Sequence, residues 1–318
     1  MRTLTIRPLT DEDEPQVLGL LSTALGWAGG EHRTRLYRWK HVDNPFGRSF
    51  GWVATDSGRL VGVRLFMRWR FRQNGELVNA VRAVDTATHM DYRGRGVFSS
   101  LTRHGLDALA EAGVAFVFNT PNDQSRPGYL KLGWEPVGHL PLALHLRSVT
   151  VLPRTARARV PAALESLPTS AGLPACEGLD GLASCAPVGS LPGQLMTDRT
   201  GEFLRWRYSL PQLRYRTVRL GSGGAAVFRL RRRGAAVELV VNDVLVSPGT
   251  AASEIARAVR RLLHASGADH AIRIAPTHRR GQRLPISGPT LFWRAVTTPS
   301  PAPQLGQWAL SMGDVELF

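Results

Sequence analysis

The stretch that most limits what this chain can become is THMDYRGRGVFSSLTRHGLDALAEAG, residues 88–113. A strand-like run ends near Thr88. From Val97 on, Leu101, Leu106, Leu109 and Ala110 recur at helical spacing until Gly113 stops the helix. Between them lies Arg93-Gly94-Arg95-Gly96. Glycines at a strand-to-helix turn let the backbone pass close to a ligand. The first N–H groups of the helix have no partner one turn earlier and point the same way. With arginine charge beside them, they form a cradle for a pyrophosphate. The loop is not a Walker A motif, because Gly-Lys-Ser/Thr is missing, and it is not a dinucleotide fingerprint.

The elements around this segment read in a clear order. Leu4 and Ile6 alternate as in a strand. Thr10 then caps an acidic first turn, residues 11–14, with Pro15 inside it, which marks a helix start. Residues 50–56 and 59–72 are strand-like and are joined by the hairpin turn Asp56-Ser57-Gly58. A second turn, Gln73 to Glu76, completes an antiparallel meander over residues 50–90. After the helix, VAFVFNT is a short buried strand, followed by a polar loop, PGYLKLGW and the strand-like run PLALHLRSV. The order strand, helix, meander, helix, strand, short helix, strand gives an α/β (α+β) domain over residues 1–148. Residues 149–200 are rich in Pro, Gly, Ala and Ser, and read as a connector with one short helix. Residues 201–318 echo the first domain. LYRWKHVDNPFGRSFGWVA resembles FLRWRYSLPQLRYRTVRL, VRAVDT matches VELVVNDV, and GTAASEIARAVRRLLHASG stands where the helix after Gly96 stands. An internal duplication accounts for the shared order, and 318 residues suffice for two domains.

Composition bounds the function classes. The net charge is +15, and 38 of the 40 basic residues are arginines, Lys40 and Lys131 being the exceptions. A positive field favours anionic partners. No basic cluster or known nucleic-acid module accompanies it, so nucleic acid is not expected as the partner. No apolar run reaches the length of a membrane span. The opening MRTLTIRPLTDEDEP lacks the apolar core of a secretory signal. Cys176 and Cys185 make neither a disulfide framework nor a zinc pattern, and no metal is expected. These features together fit a cytoplasmic protein.

DYRGRGVF resembles the acyl-CoA loop of the GCN5-related N-acetyltransferase (GNAT) family, written Q/R-x-x-G-x-G/A. Arg93 matches its first position and Gly96 its fourth, while Phe98 departs from the final small residue. PNDQSRPGYLKLGWEPVG resembles the family's Asn-to-"YeklGF" segment. Asn122 matches the Asn, Ser125 the small residue, and Tyr129, seven positions after Asn122, the Tyr. Residues 131–134, KLGW, fill the end of the motif.

The resemblance covers residues 1–148 in element order and the second half more faintly. It implies a mixed sheet whose central parallel strands, residues 81–89 and 114–118, splay to admit the thioester of acetyl-CoA. It implies that backbone at Thr86, Ala87 and Thr88 pairs with the pantetheine arm. The cradle of Arg93, Gly94, Arg95, Gly96, Val97, Phe98 and Ser99 would hold the pyrophosphate, with Phe98 narrowing the pocket, and Asn122 would touch the cofactor arm. Tyr129 would protonate the departing thiolate, since a phenol of ordinary pKa, about 10, carries its proton at neutral pH.

Asp85 is the first choice as the base acting on the amine, through water. His41, His89 and the terminal carboxylate of Phe318 are alternatives. The second half lacks the machinery. Asp85 to Gly96 spans eleven positions, but Asp243 to Thr250 only seven, and no tyrosine motif follows HAIRIAP. Trp206, Tyr208, Tyr215 and Trp293 either wall a substrate cleft or pack in the core.

The expected activity is direct transfer of acetyl from acetyl-CoA to a primary amine of a small molecule, an amino sugar or natural product. Nothing points to a covalent enzyme intermediate. Transfer to a protein or peptide amine and a catalytically silent CoA-fold scaffold are the alternatives.

Overall fold

Turn chemistry and alternation build the first sheet. A computed structural model describes residues 4–26, 30–158, 160–221, 223–247, 250, 252–274, 287–297 and 301–316. The chain divides into two compact units: residues 1–138 with 290–304, and residues 139–289 with 305–318. In chain order the labelled elements begin with β1 (Thr5–Pro8), α1 (Glu14–Leu25), α2 (Glu31–His41), β2 (Phe50–Asp56), β3 (Arg59–Gln73) and β4 (Glu76–Thr88). Then come α3 (Val97–Glu111), β5 (Phe116–Asn119), α4 (Arg126–Lys131) and β6 (Glu135–Leu146). The second half holds α5 (Gly201–Arg207), β7 (Arg216–Arg219), β8 (Gly224–Arg233), β9 (Ala236–Val246), α6 (Ala252–Ser266), β10 (His270–Ile274), β11 (Ser287–Ala295) and α7 (Met312–Val315).

In the first unit β1, β2, β3 and β4 pair antiparallel in sequence order. Both hairpin loops take positive φ at their two central residues, Ser57 and Gly58 in one, Asn74 and Gly75 in the other. That is the turn whose twist matches paired strands. Strand β5 joins β4 in parallel through the crossover helix α3. One cluster of apolar side chains gathers Val61 and Phe66 of β3, Val81 of β4, and Leu101 and Leu109 of α3 with Tyr129 of α4 and Trp134. Another joins Val17, Leu20 and Leu21 of α1 and Tyr37 of α2 to Val53, Val63 and Leu65. Gly62 seats the start of α3, because a Cβ there would stand 2.6 Å from Val97 Cγ1.

Two irregularities shape the middle of this sheet. β4 carries an extra residue against β3, with Val84 opposite Leu65 and Ala87 opposite Val63, and Asp85 in this bulge has φ of 43°. β4 and β5 pair only over Ala80–Arg82 and Phe116–Phe118, although β4 runs on to Thr88. Past that point the parallel strands part.

The second unit repeats the scheme. β7, β8 and β9 pair antiparallel, and β9 meets β10 in parallel over Glu238–Val240 and His270–Ile272. A bulge again follows the last parallel pair, at Asn242, between Asp243 opposite Val227 and Val241 opposite Phe228. Helix α6 packs Ile255, Val259, Leu262 and Leu263 in one cluster with Phe228, Leu239 and Val241.

Pairing redraws the linear division expected at residues 148 and 200. Strand β6, read from the sequence as the last strand of the first domain, pairs through Leu142–Leu146 with β10 in the second unit. Its place beside β5 is taken by β11, whose residues Phe292–Ala295 lie antiparallel to Phe116–Asn119. Residues 149–200 contribute strand pairs to the second unit, at Ser166–Leu167, Leu173–Pro174 and Ala186–Pro187. Apolar alternation shows that a segment is a strand, but it does not name the neighbour.

Candidate acyl-transfer site

The glycine-rich turn forms as its residues require. Gly94 and Gly96 adopt φ of 74° and 79°, which other residues take at a cost, and Gly96 is the N-cap of α3. No side chain caps that helix end, and its first turn holds no acidic residue. A Cβ at either glycine would meet no atom within 4 Å. Residues 93–96 are exposed, and the Arg95 guanidinium lies 5.1 Å from the Tyr92 ring centroid. Uncapped amides, open space and two arginines fit a pyrophosphate group. Thr86, Ala87 and Thr88 lie on β4 beyond its parting from β5.

Tyr129 is only 4% exposed on the short helix α4. Its ring meets Trp134 at 5.1 Å and Phe98 edge-on at 5.7 Å. Phe98, which departs from the small residue of the motif, thus packs on the tyrosine. Asn122 is exposed and accepts hydrogen bonds at its Oδ1 from Ser125 N and Ser125 Oγ, both 2.9 Å. These turn-forming bonds order the entry to α4, which holds the tyrosine.

The tyrosine oxygen accepts a hydrogen bond from Arg64 Nη1 at 2.9 Å, and the same nitrogen donates to Thr86 Oγ1 at 2.5 Å. Sequence reasoning missed Arg64. It sits in RLVGVRLFMRWRFR among other arginines, and no spacing there separates a buried guanidinium from a solvated one.

Asp85, the first choice as base, is already paired on both oxygens. Its Oδ2 and Oδ1 accept from Lys40 Nζ at 2.7 and 3.0 Å, and Oδ2 lies 2.9 Å from His41 Nε2. Burial pushes the carboxyl upward, but the Lys40 ammonium and His41 outweigh it and bring the pKa down to about 2. The carboxylate balances Lys40 and holds His41 in place. Burial lowers the His41 pKa, with the Asp85 hydrogen bond opposing it, and His41 Nδ1 lies 2.8 Å from Ser49 Oγ. His89 is engaged by Arg59 Nη2 at 2.7 Å. Phe318 lies outside the described residues.

Asp85→Asn is therefore expected to lower folding stability by roughly 3–5 kcal/mol, since Lys40, 1% exposed, loses its counter-charge. Denaturant unfolding checks this. The wild type should also lose stability as pH falls from about 4 toward 2. The folded carboxyl titrates near 2 and the unfolded one near 3.8, so the unfolded state binds the proton first. The variant should lose that acid-sensitive component. Unchanged stability with abolished turnover would favour Asp85 as the base.

In the second unit the residue after the Trp-basic pair again reaches the bulged strand. Tyr208 Oη donates to Asp243, as His41 meets Asp85 in the first unit. Arg199 also donates to Asp243 and to Asp314 of α7, filling this region with paired charge. Trp206, Tyr208, Tyr215 and Trp293 are all buried. Of the shortened turn, Pro248, Gly249 and Ala251 lie outside the described residues, as do Ala275 and Pro276 after β10. No helix among the described residues is long and apolar enough to cross a membrane.

Comparison with known proteins agrees with the geometry. Residues 5–137 match the family described as Acetyltransferase (GNAT) domain. A probable N-acyltransferase from Enterococcus faecalis aligns with a TM-score of 0.66 at 15% identity, over 93% of this chain and 73% of its own. A GCN5-related N-acetyltransferase from Kribbella flavida aligns with a TM-score of 0.62 at 17% identity, over 93% and 71%. Eis1 from Mycobacterium abscessus gives 0.60 at 16%, over 92% and 74%. At such identities these likenesses establish the fold alone. No curated protein sequence matches the chain.

Proposed function

We propose that this protein, whose residues 5–137 match the family described as Acetyltransferase (GNAT) domain, carries acetyl from acetyl-CoA to a primary amine of a small molecule, such as an amino sugar or an amine-bearing natural product. The observation that carries this reading is the uncapped, open turn at Gly94–Gly96 on the same unit as a buried tyrosine beside parted parallel strands. The two cysteines, Cys176 and Cys185, suit work in a reducing cytoplasm.

Acetyl-CoA supplies an activated thioester carbonyl. The cradle of residues 93–99 neutralises its pyrophosphate, and the strand edge of Thr86–Thr88 takes up its amide-bearing arm. The amine forms the C–N bond and loses one proton to water, the C–S bond breaks, and its electron pair leaves on sulfur. Tyr129 gives that sulfur its hydroxyl proton. Asn122 orders the helix that presents the tyrosine. Lys40, Asp85 and His41 tie α2 to the bulge of β4 and fix its shape. The second unit is read as a diverged copy that has filled its own parting with paired charge and contributes no second cofactor site.

Isothermal titration with acetyl-CoA and free-thiol release across a panel of amines test the reading. Acetyl-CoA is expected to bind once per chain. A stoichiometry near two would overturn the reading of the second unit, and binding without thiol release for any amine would favour a silent scaffold.

A further inference from the structure

Arg64 is fully buried, at 0% exposure, yet it lacks an acidic partner among the described residues. Its Nε and Nη2 have no hydrogen-bond partner there either. The guanidinium lies between aromatic rings, 4.4 Å from the Phe66 centroid, 5.2 Å from Tyr129 and 5.4 Å from Phe98. Such rings recover part of the lost hydration but do not replace a counter-charge. Arg199 is ion-paired with Asp243 and Asp314, and Arg229 and Arg231 with Glu316, while buried Arg82 donates to Thr120 Oγ1 and buried Arg207 to Tyr215 Oη and to two backbone oxygens. A buried cation that the resting protein leaves uncompensated suits a place where negative charge arrives during the reaction.

We propose that Arg64 is a positioning residue for thiolate protonation, aiming the Tyr129 hydroxyl and holding the charge that the tyrosine oxygen acquires when it gives up its proton. The proposal rests on the reading of Tyr129 as the acid. Arginine has donors and no acceptor. The tyrosine oxygen that accepts from Arg64 Nη1 must therefore direct its own O–H elsewhere. Thr86 Oγ1, bound to the same nitrogen, ties the pair to β4 just past its bulge.

The step balances. The C–N bond forms, the C–S bond breaks with its electrons on sulfur, the phenol proton moves to sulfur, and the acylated nitrogen sheds its extra proton to water. The phenolate left behind faces a guanidinium in a dry site, where opposite charges attract more strongly than in water. Water later restores the proton.

Arg64→Met tests this, because removing an uncompensated buried charge while keeping its apolar contacts often spares or raises stability. The expected result is a melting temperature equal to or above wild type, unchanged acetyl-CoA affinity by calorimetry, and kcat for thiol release lowered roughly 10- to 100-fold, as for a lost charge-assisted hydrogen bond. Arg64→Lys keeps the charge without the planar fork and should recover part of the rate. Adding Tyr129→Phe to Arg64→Met should cost no more than Tyr129→Phe alone, since no proton remains to be aimed.

A fall in melting temperature with Arg64→Lys restoring both stability and rate in parallel would overturn the proposal in favour of a structural arginine. So would full activity in Arg64→Met, or additive losses in the double variant, while Tyr129→Phe alone is slow. Full activity in Tyr129→Phe removes the acid assignment itself, and the proposal with it. Should Arg64→Met fail to fold, Arg64→Lys decides alone: normal acetyl-CoA affinity with kcat lowered supports the proposal, and wild-type kcat overturns it.

Discussion

Tyr129→Phe is expected to lower kcat by roughly 10²–10⁴-fold, the range for a lost general acid, with little change in acetyl-CoA affinity. The substitution keeps the ring that packs on Trp134 and Phe98. It removes only the oxygen that accepts from Arg64. Because the hydroxyl acts as the thiolate departs, the loss belongs to the transition state, and KM for acetyl-CoA should hardly move. A small stability cost, about 1 kcal/mol, follows from stranding one more Arg64 donor in the core. Stopped assays of thiol release beside calorimetric affinities separate the two effects. A variant with wild-type kcat would show that water or another group protonates sulfur. Simple unfolding would make Tyr129 a packing residue.

Gly96→Asp should weaken acetyl-CoA binding by more than tenfold and leave the fold in place. The glycine sits at φ of 79°, and a Cβ added to it would have no atom within 4 Å, so a substituent would project into open space at the mouth of α3. A carboxylate there occupies the anion's place and repels it, while the left-handed backbone is one that Asp tolerates better than most residues. Gly96→Ala is the matching control, adding bulk without charge. Calorimetry on protein with an unchanged melting profile reads the result. Wild-type affinity in Gly96→Asp would place the pyrophosphate elsewhere.

Local chemistry was legible in the sequence, and long-range choice was not. Turns at Ser57-Gly58 and Asn74-Gly75 took the positive φ that the glycines and Asn74 favour. Arg93–Gly96 opened α3, and residues 126–131 carried the tyrosine on a helix. All of these depend on a few neighbouring residues. The partner of β5 depends on residues nearly two hundred positions away, and the alternation of β6 fitted either sheet. The pairing of Asp85 with Lys40 and His41 was not legible, because the helix that brings them to it is distant in sequence. Arg64 was hidden for a similar reason, since burial of one arginine in an alternating run is decided by what packs over it.

The exchange of closing strands has a consequence for how the molecule is made. As the chain leaves the ribosome, β5 waits with an open edge until β11, almost the last strand synthesised, arrives to cover it. Strand β6, made early, waits in turn for β10. The first unit is thus finished only when nearly all of the second exists, so its sheet closes late in synthesis or after it. A nascent chain halted midway has two unsatisfied sheet edges and no working half.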